Sequence, residues 1–292
     1  MAFCTVLVAV SLVSDPSFSQ RMPNLYITIQ VYAFGLYHAD CDVLIYGDSS
    51  TMSGDDPDII EARTHLKTCN IAQTQPVVLN SGTLPIDIFL RKNRAPKYLV
   101  IQLSPDTLYQ SHQLDAMPVI EPVTFMLRHD PGPSTTMKLI RHPAILPVYA
   151  KIVLASWYAT SPVQRADFDQ KYGQTIKDYF SRGLLTLPKP PETDCMTPRK
   201  LFREDFGWVE EGRKRYSAEG IKVLVMISPI PECDQQVEVY RRTLASQLGV
   251  EINTLPLRMF NDGDRHFTRE GSAVVSDSVA QKILLLEEKS GG

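Results

Sequence analysis

The sequence lacks three features that would each assign the protein to a broad class: a strong excess of one charge, a membrane-spanning apolar run and a common metal-binding motif. Its 292 residues are 43% hydrophobic, and the formal net charge is only -3. A nucleic-acid-binding protein would have a basic surface, so we exclude nucleic acid as the main partner. A chain of this length and composition can bury a full core. Its size is typical of one α/β domain with insertions.

No apolar run near the N-terminus is long enough to cross a bilayer. Residues 3–13 are apolar, but no Lys or Arg precedes them as in a signal peptide, and the first basic residue is Arg21. Three interpretations stay open: the end of a longer membrane anchor, an atypical signal segment, or a strand or helix buried in the fold. We therefore separate residues 1–40, an N-terminal segment and expected remnant of an anchor, from a main domain over residues 41–290.

Metal-binding motifs are absent from the sequence. It has no Cys-x-x-Cys or His-Glu-x-x-His pattern. Five histidines are scattered without ligand spacing: His38, His65, His112, His129 and His142. We predict neither a metal site nor a cofactor.

Cysteine is scarce, and its count is odd. Two of the five cysteines, Cys195 and Cys233, stand in polar, proline-bounded loops where a disulfide can form. Cys4, Cys41 and Cys69 have apolar neighbours and are expected to be buried small hydrophobic residues. The cysteine count alone does not decide the compartment.

Short apolar runs alternate with helical segments along the chain. This alternation predicts an α/β fold with a doubly wound, flavodoxin-like parallel sheet and helices on both faces. Five runs are predicted as strands: 43–46, 69–72, 98–103, 222–227 and 251–255. Residues 109–200 form a large insertion between the third and fourth strands. It is expected to serve as a lid, a substrate wall, a membrane-facing surface or plain scaffolding.

A serine follows the first predicted strand. Gly47-Asp48-Ser49 comes directly after that apolar run. This position puts the Ser49 hydroxyl at the carboxyl edge of the sheet, where an acyl-transfer nucleophile works. Gly-Asp-Ser is also ordinary turn chemistry, so the triplet alone leaves a structural turn as an alternative.

A histidine stands before the last predicted helix, which carries an apolar face. His266 follows the fifth predicted strand, so it should emerge at the same edge as Ser49. A nucleophilic serine needs a base, and the base needs an acid to orient it. Two acids stand nearby, Asp262 and Asp264. These residues together predict a catalytic triad.

The order Ser, Asp, His resembles the SGNH (GDSL-type) hydrolase superfamily, whose first block is the GDS serine and whose last block is usually Asp-x-x-His. That spacing would put the acid at Gly263, so the acid must lie elsewhere. The run Asp264-Arg265-His266-Phe267 resembles SGNH-like proteins that O-acetylate exopolysaccharides. The resemblance therefore favours Asp264 as the acid over Asp262. It also favours the membrane anchor, because such relatives are commonly tethered.

The middle blocks depart from the family pattern, in which a glycine after the second strand and an asparagine after the third donate hydrogen bonds to the oxyanion. Here Asn70 and Gln73 occupy the second position without the glycine, and Asp106 falls near the third. An ionised Asp106 would repel an oxyanion. The backbone N–H of Ser49 needs no special side chain and remains an expected donor.

The resemblance implies a serine-dependent carboxylic ester hydrolase that forms an acyl-serine intermediate. Ser49 would attack, His266 would serve as the base, and Asp264 would orient it; Asn70 and Gln73 would lie at the oxyanion. Expected substrates are a small acyl ester or an acylated glycan, outside the cytoplasm. Two alternatives stay open: an O-acyltransferase acting on an extracellular glycan, and a binding or assembly protein of the same fold with impaired catalysis.

Overall fold

The computed structural model describes residues 38–109, 162–187, 206–262 and 265–291, with a few isolated positions elsewhere. The isolated positions are Leu25, Ile29, Leu36, Pro122, Phe125, His129, Asp194, Cys195, Pro198 and Leu201. The predicted N-terminal anchor run lies outside the described residues, and so does most of the predicted insertion. In the described part of the chain, no helix is both long and apolar enough to cross a membrane.

Four strands form a parallel sheet in the order β2-β1-β3-β4. The strands are β1 (Val43–Gly47), β2 (Thr68–Asn70), β3 (Tyr98–Leu103) and β4 (Lys222–Ile227). All residues of β1, β2 and β3 are buried. Burial along the whole strand is typical of parallel strands covered on both faces. The α/β class and the parallel sheet are therefore confirmed.

Helices connect and follow the strands. The first group is α1 (Ser49–Gly54), α2 (Pro57–Thr64), α3 (Gln75–Ser81) and α4 (Leu84–Leu90). A 3-10 turn, Pro105–Tyr109, follows β3. The second group is α5 (Pro162–Arg182), α6 (Gly207–Ala218), α7 (Val237–Tyr240), a π-helical turn (Arg241–Ala245), α8 (Ser246–Leu248) and α9 (Arg269–Gly291), with a 3-10 turn (Leu257–Met259) before α9.

The core lies in two layers on opposite sides of the sheet. Alternate residues of a strand point to opposite faces. Val43 and Ile45 of β1 pack with Val279 and Ile283 of α9. Leu44 and Tyr46 of the same strand belong to a larger cluster with Ile86 and Phe89 of α4 and Val209 and Tyr216 of α6. Each layer removes apolar side chains from water, and this burial is the main force that holds the helices on the sheet.

The fifth predicted strand does not join this sheet in the described structure. Only Thr254–Leu255 (β6) is extended, and it pairs in parallel with Ile230–Pro231 (β5) in a separate two-stranded sheet. Pro231 has no backbone N–H and its φ is fixed, so the chain after β4 cannot continue a regular ladder there. The predicted strand was too long, and its place in a five-stranded sheet was wrong for the described structure.

Two disulfides join segments within the described residues. Cys195–Cys233 is the bond that the loop composition allowed. Cys41 and Cys69 are buried as predicted, but they are bonded to each other across the start of β1 and β2 rather than packed as free thiols. The apolar neighbours of the two cysteines did not indicate this bond. The residues come together only because β1 and β2 are paired in the folded sheet.

Candidate active site

Ser49 begins α1 directly after β1. Asp48 is the N-cap of this helix, and its Oδ1 accepts hydrogen bonds from the backbone N–H of Ser50 at 2.9 Å and from the Ser50 hydroxyl at 2.6 Å. Aspartate is among the residues that best satisfy the orphan N–H groups of a first helical turn. Ser49 itself is half-buried. The cap therefore fixes the serine at the carboxyl edge of β1, as the motif predicted.

The second oxygen of Asp48 ties this turn to the end of β3. Oδ2 accepts hydrogen bonds from the backbone N–H and the hydroxyl of Ser104, both at 2.8 Å, and from the Thr107 hydroxyl at 2.5 Å. Asp48 is 1% exposed, so these donors replace the water that a carboxylate needs. Its role in the structure is to hold the Ser49 turn in place.

Gly47 allows this turn to approach β3 closely. A Cβ atom at Gly47 would lie 1.8 Å from the Gln102 carbonyl oxygen and 2.3 Å from the Thr51 hydroxyl oxygen. The Thr51 hydroxyl donates to that same carbonyl at 2.5 Å. No side chain fits in this space, so the glycine of the motif is required by packing.

His266 lies in the segment before α9 and is bound by Asp262. The Asp262 Oδ2 atom contacts Nδ1 of the His266 ring, and Oδ1 accepts from the backbone N–H groups of Arg265 and His266, each at 3.0 Å. Burial alone would raise the pKa of the Asp262 carboxyl. The hydrogen bond and charge of the His266 ring, with the two N–H groups, outweigh burial and hold that pKa well below its ordinary value. Asp262 is therefore a carboxylate at neutral pH.

Nε2, the other ring nitrogen of His266, is buried. Within the residues that the structure describes no group bonds to it, the Ser49 hydroxyl included. With Nδ1 directed at a carboxylate, the neutral ring carries its proton on Nδ1 and leaves the Nε2 lone pair available. This is the arrangement that a general base requires.

The His266 segment packs against the helix that Ser49 begins. The backbone N–H of Phe267 donates to the Ser53 hydroxyl at 3.2 Å, and that hydroxyl contacts the Ser49 carbonyl oxygen at 3.2 Å. Ser53 is one helical turn from Ser49, a rise of about 5.4–6 Å. Gly54 makes room for this contact, because a Cβ there would lie 3.0 Å from the Phe267 ring. The segment that carries His266 and the helix that Ser49 begins are therefore in contact, through Phe267 and Ser53.

The structure bears differently on the two acids considered for the triad. Asp264, which the sequence resemblance favoured, lies outside the described residues. The alternative, Asp262, makes the contact with His266 described above.

Asn70 is committed to backbone groups. Its amide nitrogen donates to the carbonyl oxygens of Thr51 at 3.2 Å and Asp55 at 3.0 Å, and its Oδ1 accepts from Ala72 N–H. Both amide hydrogens are thus used to hold the middle and the C-cap of α1 to β2. The structure gives Asn70 this bracing role and leaves it no amide hydrogen for an oxyanion.

Gln73 is buried at the end of the β2 segment. Its backbone N–H donates to the Gly47 carbonyl oxygen at 2.9 Å, and its amide nitrogen donates to the Ile71 carbonyl oxygen at 3.1 Å. Its Oε1 atom has no hydrogen-bond partner within the described residues. Gln73 therefore lies beside the Ser49 turn, and its side chain is only partly satisfied.

Asp106, near the third family block, is paired with a cation. Its Oδ1 atom accepts from Nε of Arg265 at 2.7 Å, and both side chains are buried, at 0% and 6% exposed. The expected repulsion of an oxyanion by Asp106 is therefore offset by the adjacent guanidinium. Sequence reasoning missed this pair, although the charged residue stands next to His266 in the chain.

A second buried carboxyl lies at the other end of α1. Asp55 is 0% exposed, and its two oxygens have no hydrogen-bond partner within the described part of the chain. Burial raises the pKa of the Asp55 carboxyl well above its ordinary value. The nearby Gln102 side-chain amide lowers this pKa, and the negative charge of Asp48 raises it. Burial therefore favours the neutral form of the Asp55 carboxyl, which lies close to the Gln102 amide.

No cluster of His, Cys, Asp or Glu suited to a metal ion occurs among the described residues. Comparison with known proteins gives no family assignment: no protein-family model matches the chain, and no curated protein matches it significantly.

Proposed function

We propose that this protein is a serine-dependent carboxylic ester hydrolase with an SGNH-like active site. Ser49 attacks the ester carbonyl, and His266 takes the serine proton and returns it to the leaving alcohol. Asp262 orients the imidazole and stabilises its charged form. Water then releases the acyl group from Ser49 by the same proton transfers in reverse order. No cofactor takes part in this scheme.

One observation carries the proposal: His266 has a carboxylate on Nδ1 and a buried Nε2 that no described residue bonds, in a segment packed on the helix that Ser49 begins. A histidine with a purely structural role usually satisfies both ring nitrogens when it is buried. A base needs one nitrogen oriented and the other open. The geometry supports the second role, and it supports Asp262 rather than Asp264 as the orienting acid.

The oxyanion donors in this proposal differ from the family pattern. The backbone N–H of Ser49 is the first donor, because it precedes the hydrogen-bonded part of α1. Gln73 remains the second-block residue nearest the serine turn, whereas the amide of Asn70 is already used. The Arg265–Asp106 pair removes the electrostatic objection to an anion at this edge.

We extend the proposal to fold and location. The observed order β2-β1-β3 matches the core of a doubly wound, flavodoxin-like sheet, and we propose that residues 109–200 are an insertion beside the active edge. Two disulfides are typical of oxidising compartments, so we propose that the protein works outside the cytoplasm. The substrate would be a small acyl ester or an acylated glycan.

One observation favours a rival function, a binding or assembly protein with impaired catalysis. The third-block position is an aspartate bound to Arg265, and the amide of Asn70 is committed to backbone carbonyls. The asparagine donor of the family pattern is therefore missing, and the amide of Asn70 does not replace the missing glycine donor. Loss of one oxyanion donor typically lowers kcat about 100- to 1000-fold. A protein without these donors could retain the fold and lose turnover.

The test is hydrolysis of p-nitrophenyl acetate by the wild type and by Ser49→Ala. We expect Ser49→Ala to lower kcat by on the order of a millionfold and to keep the wild-type melting temperature, because a half-buried hydroxyl contributes little to stability. Ser181→Ala, an exposed serine of α5, is the matched control. Equal rates in Ser49→Ala and the wild type would contradict the proposal. Absence of turnover in the wild type would favour the binding protein.

A further inference from the structure

Arg265 is a buried cation beside the catalytic histidine. Its side chain is 6% exposed, and its Nε atom donates to Asp106 Oδ1 at 2.7 Å. Asp106 is 0% exposed and stands in the turn after β3, where Gln75 also donates to its Oδ2 at 3.4 Å. The Asp106 carboxylate is therefore held at the sheet edge by contacts other than the one with Arg265. A charged, short hydrogen bond of this kind is stronger than a neutral one.

A second carboxylate approaches Arg265 from another loop. Asp234 Oδ2 lies 3.4 Å from both Nη1 and Nη2 of the guanidinium. Asp234 follows Cys233, which is bonded to Cys195, and its Oδ1 accepts from Gln236 N–H at 2.8 Å. The guanidinium is therefore held between two loops that follow different strands, β3 and β4.

The backbone of Arg265 is part of the His266 site. Its N–H and that of His266 bind Asp262 Oδ1, while the Asp262 Oδ2 atom contacts the ring. Asn261 bonds to the same segment. Its N–H donates to the His266 carbonyl oxygen at 2.7 Å, and its side-chain amide donates to the Phe267 carbonyl oxygen at 2.8 Å. These contacts make the segment a small rigid unit. A shift of Arg265 would move Asp262 and His266 with it.

Two side-chain contacts tie this unit to the sheet edge. The Phe267 N–H bond to Ser53 ties it to the helix after β1, and the Arg265–Asp106 pair ties it to the turn after β3. The serine turn is tied to β3 as well, through Asp48 and Ser104. The serine turn and the His266 segment are therefore both bonded to residues just after β3.

We propose that Arg265 is a positioning residue that sets the His266 ring relative to Ser49 through its clamp by Asp106 and Asp234. This proposal rests on the proposed esterase function. It assigns Arg265 no contact with substrate. Misplacement of a catalytic group by about 1 Å can lower a rate by about a hundredfold, so the expected effect is on kcat rather than on KM.

The main test uses Arg265→Lys, which keeps the positive charge but lacks the planar fork that two carboxylates require. We expect kcat for p-nitrophenyl acetate to fall by about 30- to 100-fold with KM changed less than twofold. Asp234→Asn, which removes only the longer contacts, should give a smaller loss of about threefold to tenfold. Arg258→Lys is the matched control, because Arg258 is exposed, lies just before the same segment and contacts Glu270 at 3.5 Å.

A spectroscopic readout separates positioning from a general effect on stability. The Nδ1 proton of His266, bound by Asp262, should give a low-field proton resonance in the wild type and in Arg258→Lys. In Arg265→Lys that resonance should shift or broaden although the melting curve stays cooperative. This measurement needs no turnover, so it tests the positioning role even if the wild type fails to hydrolyse esters and the proposed function is wrong.

Arg265→Met leaves Asp106 buried without its cation and could unfold the protein. We therefore pair it with Asp106→Asn, which removes the unpaired charge. The double variant should fold and remain slow, because the clamp is still absent. A double variant with the wild-type kcat, or Arg265→Lys with unchanged kcat and an unchanged His266 resonance, would overturn the proposal.

Discussion

The two segments that form the site are held to the sheet by different kinds of interaction. The serine segment, residues 47–54, depends on one buried carboxylate, Asp48, whose partners are all uncharged hydroxyl and N–H groups. The histidine segment, residues 260–262 and 265–267, depends on the buried Arg265–Asp106 ion pair. It depends also on Asp262, which accepts the backbone N–H groups of Arg265 and His266. The first is fixed mainly by hydrogen bonds across the sheet edge. The second is fixed by charge.

This difference affects what each segment tolerates. A buried carboxylate with several neutral donors has its charge balanced locally, so changes elsewhere have little effect on it. A buried ion pair depends on both partners, and loss of one leaves an uncompensated charge. We therefore expect the serine segment to be the more robust half of the site. The histidine segment should be the half that responds to substitution at a distance.

The largest expected effect beside that of Ser49→Ala distinguishes the two candidate acids, Asp262 and Asp264. If Asp262 orients His266, Asp262→Asn should lower kcat about ten-thousandfold, because the amide stabilises the wrong tautomer of the ring. Asp264→Asn should have a much smaller effect. The measurement is kcat for p-nitrophenyl acetate in each variant. The reverse ranking would show that Asp264, the acid favoured by the family resemblance, performs this role.

The next prediction concerns stability in the serine segment. Asp48→Ala removes the buried acceptor for the hydroxyls of Ser50, Ser104 and Thr107 and for the backbone N–H groups of Ser50 and Ser104. We expect the free energy of unfolding to fall by about 3 kcal/mol or more, because each unsatisfied buried donor costs about 1–3 kcal/mol. Urea denaturation measures this. Asp58→Ala, an exposed position of α2, should change it by less than about 0.5 kcal/mol. A similar small change for Asp48→Ala would refute its bracing role.

The smallest expected effect is a gain in stability at Asp55. Because burial raises the pKa of its carboxyl, the folded protein keeps a proton that the unfolded chain loses above about pH 3.9. This group therefore lowers stability as pH rises above that value. Asp55→Asn removes the titration, so its free energy of unfolding should exceed that of the wild type at pH 7 by about 0.5–2 kcal/mol.

Denaturation curves from pH 4 to pH 8 test the Asp55 prediction. The difference between Asp55→Asn and the wild type should grow with pH across this range, and the exposed Asp58→Asn should show no such trend. A variant that is less stable than the wild type at every pH would mean that the Asp55 carboxyl makes a stabilising contact as an anion.

The sheet was largely predictable because its strands are marked by local sequence. β3 and β4 have the predicted bounds, and β1 extends one residue further, to Gly47. β1 and β3 are fully buried and β4 is buried at its carboxyl end, so each of the three is marked by a largely apolar run between polar segments. The stretch 251–255 was harder to interpret, because its apolar residues pack without forming a long ladder. Its pairing with β5 depends on where the chain turns after β4.

The site was predictable where its signal is short and local. Gly47, Asp48 and Ser49 form one turn, and His266 stands at the start of the last helix, so a linear motif describes both. The partners of Arg265 are 159 and 31 residues away in the chain, and no spacing rule predicts them. The Cys41–Cys69 bond depends on strand register in the same way. Contacts between residues far apart in the chain could therefore not be predicted from the sequence alone.

The most direct test of the central claim is to find which residue a serine-directed fluorophosphonate modifies. Ser49 is followed by Ser50, a buried serine already bound to Asp48 and Ser228, and Ser53 lies one turn further on. Peptide mapping by tandem mass spectrometry can distinguish all three. We predict one adduct per chain, on Ser49, which is lost in His266→Ala. An adduct on Ser50 or Ser53, or no adduct in the folded wild type, would contradict the assignment of Ser49 as the nucleophile.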